Sequence, residues 1–244
     1  MSQDARREAE VFDALVAAHG DFNPFTESGW STLKVGFESL VGPGCGLRLL
    51  DLGCGTGQSA QLYLDRSRAY VGCDLSFSSL TIARRQQRAE HWINGDATRL
   101  PFADDSFDAV CFSSILHHLP DNYSDALREA VRVVRSGGFV FAFDPNVLHP
   151  AMALLRHPSS PFYDPQGVSP QERPLWPGRL RRQFRQAGLD RVRQRALAGI
   201  EYRSVALDAA NRLLPAYHLA DRLLAVSGLG RWFGAFALTV GRRP

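Results

Sequence analysis

The stretch LLDLGCGTGQ (49–58) runs an apolar strand straight into a turn with three glycines. That junction is built where a parallel sheet, covered by helices on both faces, opens a ligand crevice at the carboxyl ends of its strands. The chain from 47 to 143 keeps the rhythm such a sheet needs. LRLLDL (47–52), AYVGCD (69–74), HWING (91–95), DAVCFS (108–113) and GFVFAFD (138–144) read as strands. SFSSLTIARRQQR (76–88) and DNYSDALREAVRVVRSGG (121–138) read as helices, the second ending in glycines as a C-cap would. The alternation predicts a doubly wound, mostly parallel α/β sheet.

Beyond Asp144 the rhythm breaks. Seven of the 14 prolines fall between Pro145 and Pro174, with no clean periodicity. A connection this long inside a compact domain is expected to be a functional cap. The pattern resumes with a helix over 177–189, whose Gly188 suits its cap, and a strand in DRVRQRALAGI (190–200). A largely helical insertion (204–226) leads to a last strand in FGAFALTVGRRP (233–244). The expected layout is one domain: a helical lid (1–46), a cofactor-binding core (47–143), an acceptor cap (144–178), and the remaining sheet with helical cover (179–244).

The residues around the glycine turn discriminate among ligands. A P-loop is excluded, since GxxxxGK[ST] is absent and the one lysine, Lys34, lies upstream. Gly53, Gly55 and Gly57 give G-x-G-x-G, with Gln58 in the third position of a dinucleotide fingerprint. Asp51, two residues before Gly53, would repel a pyrophosphate and attract a cation. Asp74, 21 residues beyond Gly53 at the end of the second strand, can accept both hydroxyls of a ribose. A ribose, a positive group and no phosphate are the demands that S-adenosylmethionine meets.

With those residues in view, the chain resembles the class I S-adenosylmethionine-dependent methyltransferases. LLDLGCGTGQ is similar to the family's first motif, GCDLS (72–76) to its acidic strand-two end, NGDATRLPFADDSFDAV (94–110) to its adenine loop and fourth strand, and VRSGGFVFAF (134–143) to its turn into strand five. The resemblance covers 47–143 and implies a seven-stranded Rossmann-like sheet with an antiparallel last strand and a helical and loop cap. It implies roles residue by residue. Gly53, Gly55 and Gly57 let the backbone approach the cofactor. Asp51 faces its methionine portion, directly or through water, Asp74 holds the ribose, and Leu75 lies against the adenine. Asp96 accepts from the adenine amino group, the backbone of Ala97 contacts the ring, and Ser113 lines the methionine side.

Methyl transfer from a sulfonium is an in-line displacement, in which the protein aligns a nucleophile and excludes water. FSSILHHLPD (112–121) sets His117 and His118 just after strand four, as candidates for the base that takes an acceptor's proton. Two adjacent side chains on a regular element cannot both enter one pocket, so one is expected to act and the other to pack. No third metal ligand stands at a recognisable spacing, and no metal is expected. Phe25 and Trp30 are placed to fold over the cofactor mouth. Asn146, His149, Tyr163 and Glu172 are the polar groups of the cap available to read a substrate.

Partners follow from charge and composition. A net charge of +3 implies no polyanion. The arginine-rich 177–195 interleaves Leu180, Phe184 and Leu189 as an amphipathic helix does, and the [ND]PP[YF] motif of base-amino methyltransferases is absent after strand four. A small organic acceptor is therefore expected rather than nucleic acid, with oxygen favoured over nitrogen or carbon and specialised metabolism as the setting. Cys45, Cys54, Cys73 and Cys111 form no CxxC pair and read as reduced residues. No apolar run spans a bilayer and no signal core opens the chain, so a cytoplasmic monomer or homodimer is expected. The apolar segment 211–236 is expected to be helical cover leading into the last strand, with a dimer contact or a face lying on a membrane as alternatives, and Gly228 and Gly230 break any long interfacial helix. An NAD-linked oxidoreductase, a nucleic-acid methyltransferase and a non-catalytic cofactor-binding partner are the competing functions.

Overall fold

The computed structural model describes residues 3–21, 23–86, 89, 91–119, 123–161, 163, 172–204 and 211–244. Seven strands form one sheet: β1 (Leu47–Leu52), β2 (Ser67–Asp74), β3 (His91–Asn94), β4 (Phe107–Ser113), β5 (Val134–Pro145), β6 (Asp190–Leu197) and β7 (Phe236–Arg242). Their order is β3-β2-β1-β4-β5-β7-β6, with β7 antiparallel to both neighbours and the other six sharing one direction. Strand order thus reverses between β1 and β4, which opens a crevice at their carboxyl ends.

The strands are apolar on both sides because both faces are covered. Leu49, Ala109, Phe139, Phe141 and Phe143 face one layer, with Leu33 and Phe37 of α2 (Glu27–Val41) and Leu80 of α3 (Phe77–Arg85). Leu50, Leu52, Val110, Phe112 and Val140 face the other, against Leu127 and Ala130 of α4 (Tyr123–Val133) and Phe184 of α6 (Pro177–Gln186). The period of two therefore sends Asp51 and Ser113 toward the α2–α3 side. An N-terminal helix, α1 (Gln3–His19), packs on α3. The cap holds a short helix, α5 (Pro150–Arg156), and a bridge joins Asn146 to Leu175. Before β7 come α7 (Leu214–Val226) and α8 (Gly230–Phe233).

One boundary differs from expectation. α4 stops at Val133, and residues 134–138 already belong to β5, where Val134 pairs with Phe107. Gly137 and Gly138 serve that strand entry rather than a helix cap. Gly137 has φ +76°, and a Cβ on Gly138 would stand 2.6 Å from the Asp108 carbonyl oxygen. Three of the four cysteines are buried and all four are free.

Candidate active site

The three glycines of the β1 loop answer three different constraints. Gly53, Gly55 and Gly57 all have positive φ (70°, 51° and 85°), where a side chain is strained. A Cβ on Gly53 would lie 2.6 Å from the Ile115 Cβ, so packing keeps this position bare, and its backbone lines both the main cavity and the cleft at Asp74. A Cβ on Gly55 would meet nothing within 4 Å, so here the bare backbone is open to a ligand. Gly57 starts the tight turn Gln58–Leu62.

Asp74 ends β2 beneath that loop. Its Oδ2 accepts from the Gly55 amide at 2.8 Å and its Oδ1 from Ser76 at 2.9 Å. Burial raises its pKa, and those two amides oppose the rise. Leu75, Asp96 and Ala97 line one cleft with Asp74, Gly53, Gly95, Ile115 and Leu119. Asp96 Oδ1 accepts from the amide and hydroxyl of Thr98, which fixes the carboxylate at the cleft edge. Two carboxylates along one cleft, beside an open glycine backbone, offer acceptors to hydroxyl and amino groups and repel a diphosphate.

Asp51 is fully buried and does not reach the cavity directly. Its carboxylate accepts from Ser59 and Tyr70, each at 2.7 Å, and from Ser113 at 2.5 Å. With the Ser113 proton given to Asp51, the Tyr63 hydroxyl donates to Ser113 Oγ at 2.9 Å. Burial pushes the Asp51 pKa up to about 6, while the hydroxyl donors pull it down. Ser113 and Ser59 line the cavity and present the polarity of this hub to it.

The main cavity, about 320 Å³, lies between the β1 loop, the β4 end, α1 and the cap. Val11, Phe12, Leu15 and Val16 of α1 close one side, and Phe25, Trp30, Phe143, Met152, Tyr202 and Phe236 make the opposite wall apolar. Phe25 and Trp30 are thus both core and lining: their rings meet edge to face at 5.0 Å, and the Trp30 indole donates to Asn23 at 2.9 Å. Asn146 and Tyr163 do not line the cavity. The Asn146 amide is spent on the carbonyls of Trp232 and Gly234 and the amide of Leu148, which ties the cap to the chain before β7. His149 is buried with its Nε2 3.6 Å from Asp221.

Both histidines reach this cavity. A 3₁₀ turn, Leu116–His118, sets their ring centroids 4.0 Å apart on the same wall, so the expectation of one inward and one packed side chain fails. Asp144, at the end of β5, organises His117: its Oδ1 accepts from the His117 amide at 3.1 Å and lies 2.9 Å from ring Nδ1. An oxygen already accepting an amide proton is an acceptor for Nδ1–H as well, which leaves Nε2 with its lone pair toward the cavity. Burial holds the His117 pKa well below the usual value and the Asp144 pKa well above it, so the imidazole is neutral at pH 7. His118 Nδ1 lies 2.9 Å from Glu8 of α1, and its ring meets Phe12 edge to face.

Folding also supplies what spacing did not show. Glu172 comes within 3.9 Å of both histidines, and one ligand atom from each of the three lies within 4.8 Å of the others. The guanidinium of Arg156 is paired with Glu172, so a fixed cation already answers that carboxylate. Arg156, Glu8, Asp13 and Tyr63 lie outside every motif, and sequence reasoning missed them. Asp144 did carry a signal: a carboxylate closing an otherwise apolar strand.

The sheet order, the glycine turn, the acidic end of β2 and Asp96 in the loop after β3 are features shared with the core of class I S-adenosylmethionine-dependent methyltransferases. Residues 50–142 match the family of methyltransferase domains, and in this core the chain is similar to methyltransferases whose cofactor is S-adenosylmethionine. A malonyl-[acyl-carrier protein] O-methyltransferase of Serratia marcescens is 37% identical over 106 residues, 42% of this chain and 41% of that protein. A demethylmenaquinone methyltransferase of Renibacterium salmoninarum is 37% identical over 134 residues, 53% of this chain and 55% of that protein. The chain spans about half the length of these relatives. In fold it is similar to an S-adenosylmethionine-dependent methyltransferase of Thermotoga maritima, described as a possible histamine N-methyltransferase. The TM-score is 0.66 and the identity 16%, over 96% of this chain and 99% of that one.

Proposed function

We propose that the protein transfers a methyl group to the hydroxyl of a small, largely apolar acceptor, with His117 as general base. The bound cofactor supplies the activated methyl carbon. Asp74 and Asp96 hold the two ends of its adenosine, and Ser113 and Ser59 face its methionine portion. The acceptor lies among Phe25, Trp30, Phe143 and Met152, which exclude water from the reacting atoms. His117 takes the hydroxyl proton at Nε2, and Asp144 steadies the resulting imidazolium through Nδ1–H.

One observation carries this reading: a neutral histidine, oriented by a buried carboxylate, turns a free Nε2 into a mostly apolar cavity. An acceptor that sheds a proton makes use of such a group. Of the relatives, one is a malonyl-[acyl-carrier protein] O-methyltransferase and another a demethylmenaquinone methyltransferase, and each name describes only its own protein.

The test is release of S-adenosylhomocysteine from a panel of phenols, carboxylic acids, amines and carbon acids. Turnover is expected with hydroxyl-bearing members. His117→Gln should lower kcat by about 10²–10⁴-fold, the scale of general base catalysis, with cofactor affinity kept within a few-fold. Equal turnover in His117→Gln would remove the base from the mechanism. Binding of NADH without S-adenosylmethionine would overturn the reading altogether.

A further inference from the structure

α7 is inside out. Its inward positions, Leu214, Tyr217, Asp221 and Leu224, recur at helical spacing, and the most deeply buried of them is a carboxylate, Asp221. Asp221 accepts from the amides of Gly199 at 2.6 Å and Ile200 at 3.0 Å, which fastens the helix to the loop after β6. The outward stripe is apolar instead. Leu219, Leu223 and Val226, spaced i, i+4, i+7, are 62%, 59% and 82% exposed. The turn into α8 adds Leu229, Trp232 and Phe233, all exposed. Leaving such a stripe to water is unfavourable, and on a soluble surface a contiguous patch of this kind marks an interaction face.

The charges around it select the partner. Between 211 and 236 the charged side chains besides Asp221 are Arg212, Arg222 and Arg231, all exposed. Glu201 approaches Arg222 at 3.8 Å, yet the arginine remains 73% exposed. Arg231 stacks over Trp232 at 3.8 Å from the ring centroid. A second copy of this face, brought up across a two-fold axis, would set arginines against arginines. A surface of anionic headgroups over hydrocarbon answers both features, since apolar side chains enter the acyl boundary while arginines and a tryptophan sit at the headgroups.

We propose that the α7–α8 face docks the protein on an anionic lipid bilayer. No described helix is long and apolar enough to cross a membrane, so the contact is peripheral. The face adjoins the candidate active site. Tyr217, on the inner side of α7, packs on Tyr202 at 5.3 Å, and Tyr202 lines the cavity. Docking there holds the cavity wall beside the bilayer, where a membrane-borne amphiphile is the acceptor at hand. That last step rests on the methyl-transfer proposal, whereas docking is read without turnover.

The full chain is mixed with phosphatidylcholine vesicles with and without 30% phosphatidylglycerol, at about 100 mM salt, and floated on a density gradient. We expect flotation with the anionic vesicles and at least tenfold weaker association with neutral ones. Leu223→Glu and Val226→Glu alter exposed positions, so the fold and cofactor binding are kept while association falls at least tenfold. Arg222→Glu with Arg231→Glu should abolish the anionic preference. Absence of flotation, equal binding to both vesicles, or binding unaffected by Val226→Glu would each overturn the proposal. So would a concentration-dependent dimer in ultracentrifugation that Val226→Glu dissolves.

Discussion

At the scale of single residues the site is a set of carboxylates in different states of burial. Asp74 is pinned by two amides and still lines the cleft shared with Leu75, Asp96 and Ala97. Asp74→Ala is expected to weaken S-adenosylmethionine binding by about 1–3 kcal/mol, the scale of hydrogen bonds to a charged group, measured by calorimetric titration. An unchanged Kd in a folded variant would remove the ribose assignment. Asp51 is sealed, with its pKa pushed from 3.8 to about 6. Between those values the native chain holds a proton that the unfolded chain has released, so stability falls as pH rises from about 4 to 6. The shift corresponds to about 3 kcal/mol. Asp51→Asn should remove this dependence, so the stability difference between wild type and variant, read from urea melts at pH 4 to 7, should move by that order. A difference flat with pH would mean the carboxylate is ionised throughout. The sequence showed that Asp51 and Asp74 stand at strand ends. It did not show which one faces the ligand, because that depends on Tyr70 and Ser59 donating to Asp51, and on Tyr63 meeting Ser113 behind it, from positions without a motif.

At the scale of elements, α1 is the part of the site furthest in sequence from its partners. Val11, Phe12, Leu15 and Val16 form one helical stripe, legible as amphipathic, yet the surface it covers could only be seen once folded. The helix is fastened at two points over the crevice. Asp13 Oδ1 accepts from the Ser76 hydroxyl at 2.6 Å and the Ser78 amide at 3.2 Å, at the start of α3, and Glu8 meets His118. Asp13 thereby adds a second acceptor to a helix start already capped by Ser76. Asp13→Ala is expected to speed amide exchange across residues 5–19 and to lower cofactor affinity, while global stability changes by about 1 kcal/mol or less. Exchange in α1 at the wild-type rate would show that the apolar stripe alone holds the lid. The same limit of sequence reading appears at the α4–β5 junction. There VRVVRSGG carries helical periodicity, but pairing with β4 and the end of β7 claims residues 134–138 for the sheet.

At the scale of the whole molecule, the site depends on strands that contribute little to it directly. β7 comes last in sequence but lies between β5 and β6, so its placement closes the sheet rather than extending it. The antiparallel final strand was legible through family resemblance, because an isolated run such as FALTVGR states no direction by itself. Thr239, fully buried in β7, is opposed by Ala142 of β5 and Gln194 of β6, and its hydroxyl oxygen accepts from the Gln194 amide at 2.7 Å. A proline at that position removes a ladder donor in a strand paired on both edges and drives its ring into the neighbour, which central strands do not tolerate. Thr239→Pro is therefore expected to abolish cooperative thermal unfolding by circular dichroism. It should also abolish S-adenosylmethionine binding, although Thr239 lines neither cleft. β5 carries Asp144 behind His117 and Phe143 on the cavity wall, so losing its β7 partner loosens the base and the wall together. Thr239→Ser keeps the backbone donor and the hydroxyl and should bind cofactor as the wild type does. If Thr239→Pro melted cooperatively with cofactor affinity intact, β1–β5 would fold independently of the C-terminal strands, and the site would owe nothing to the closure of the sheet.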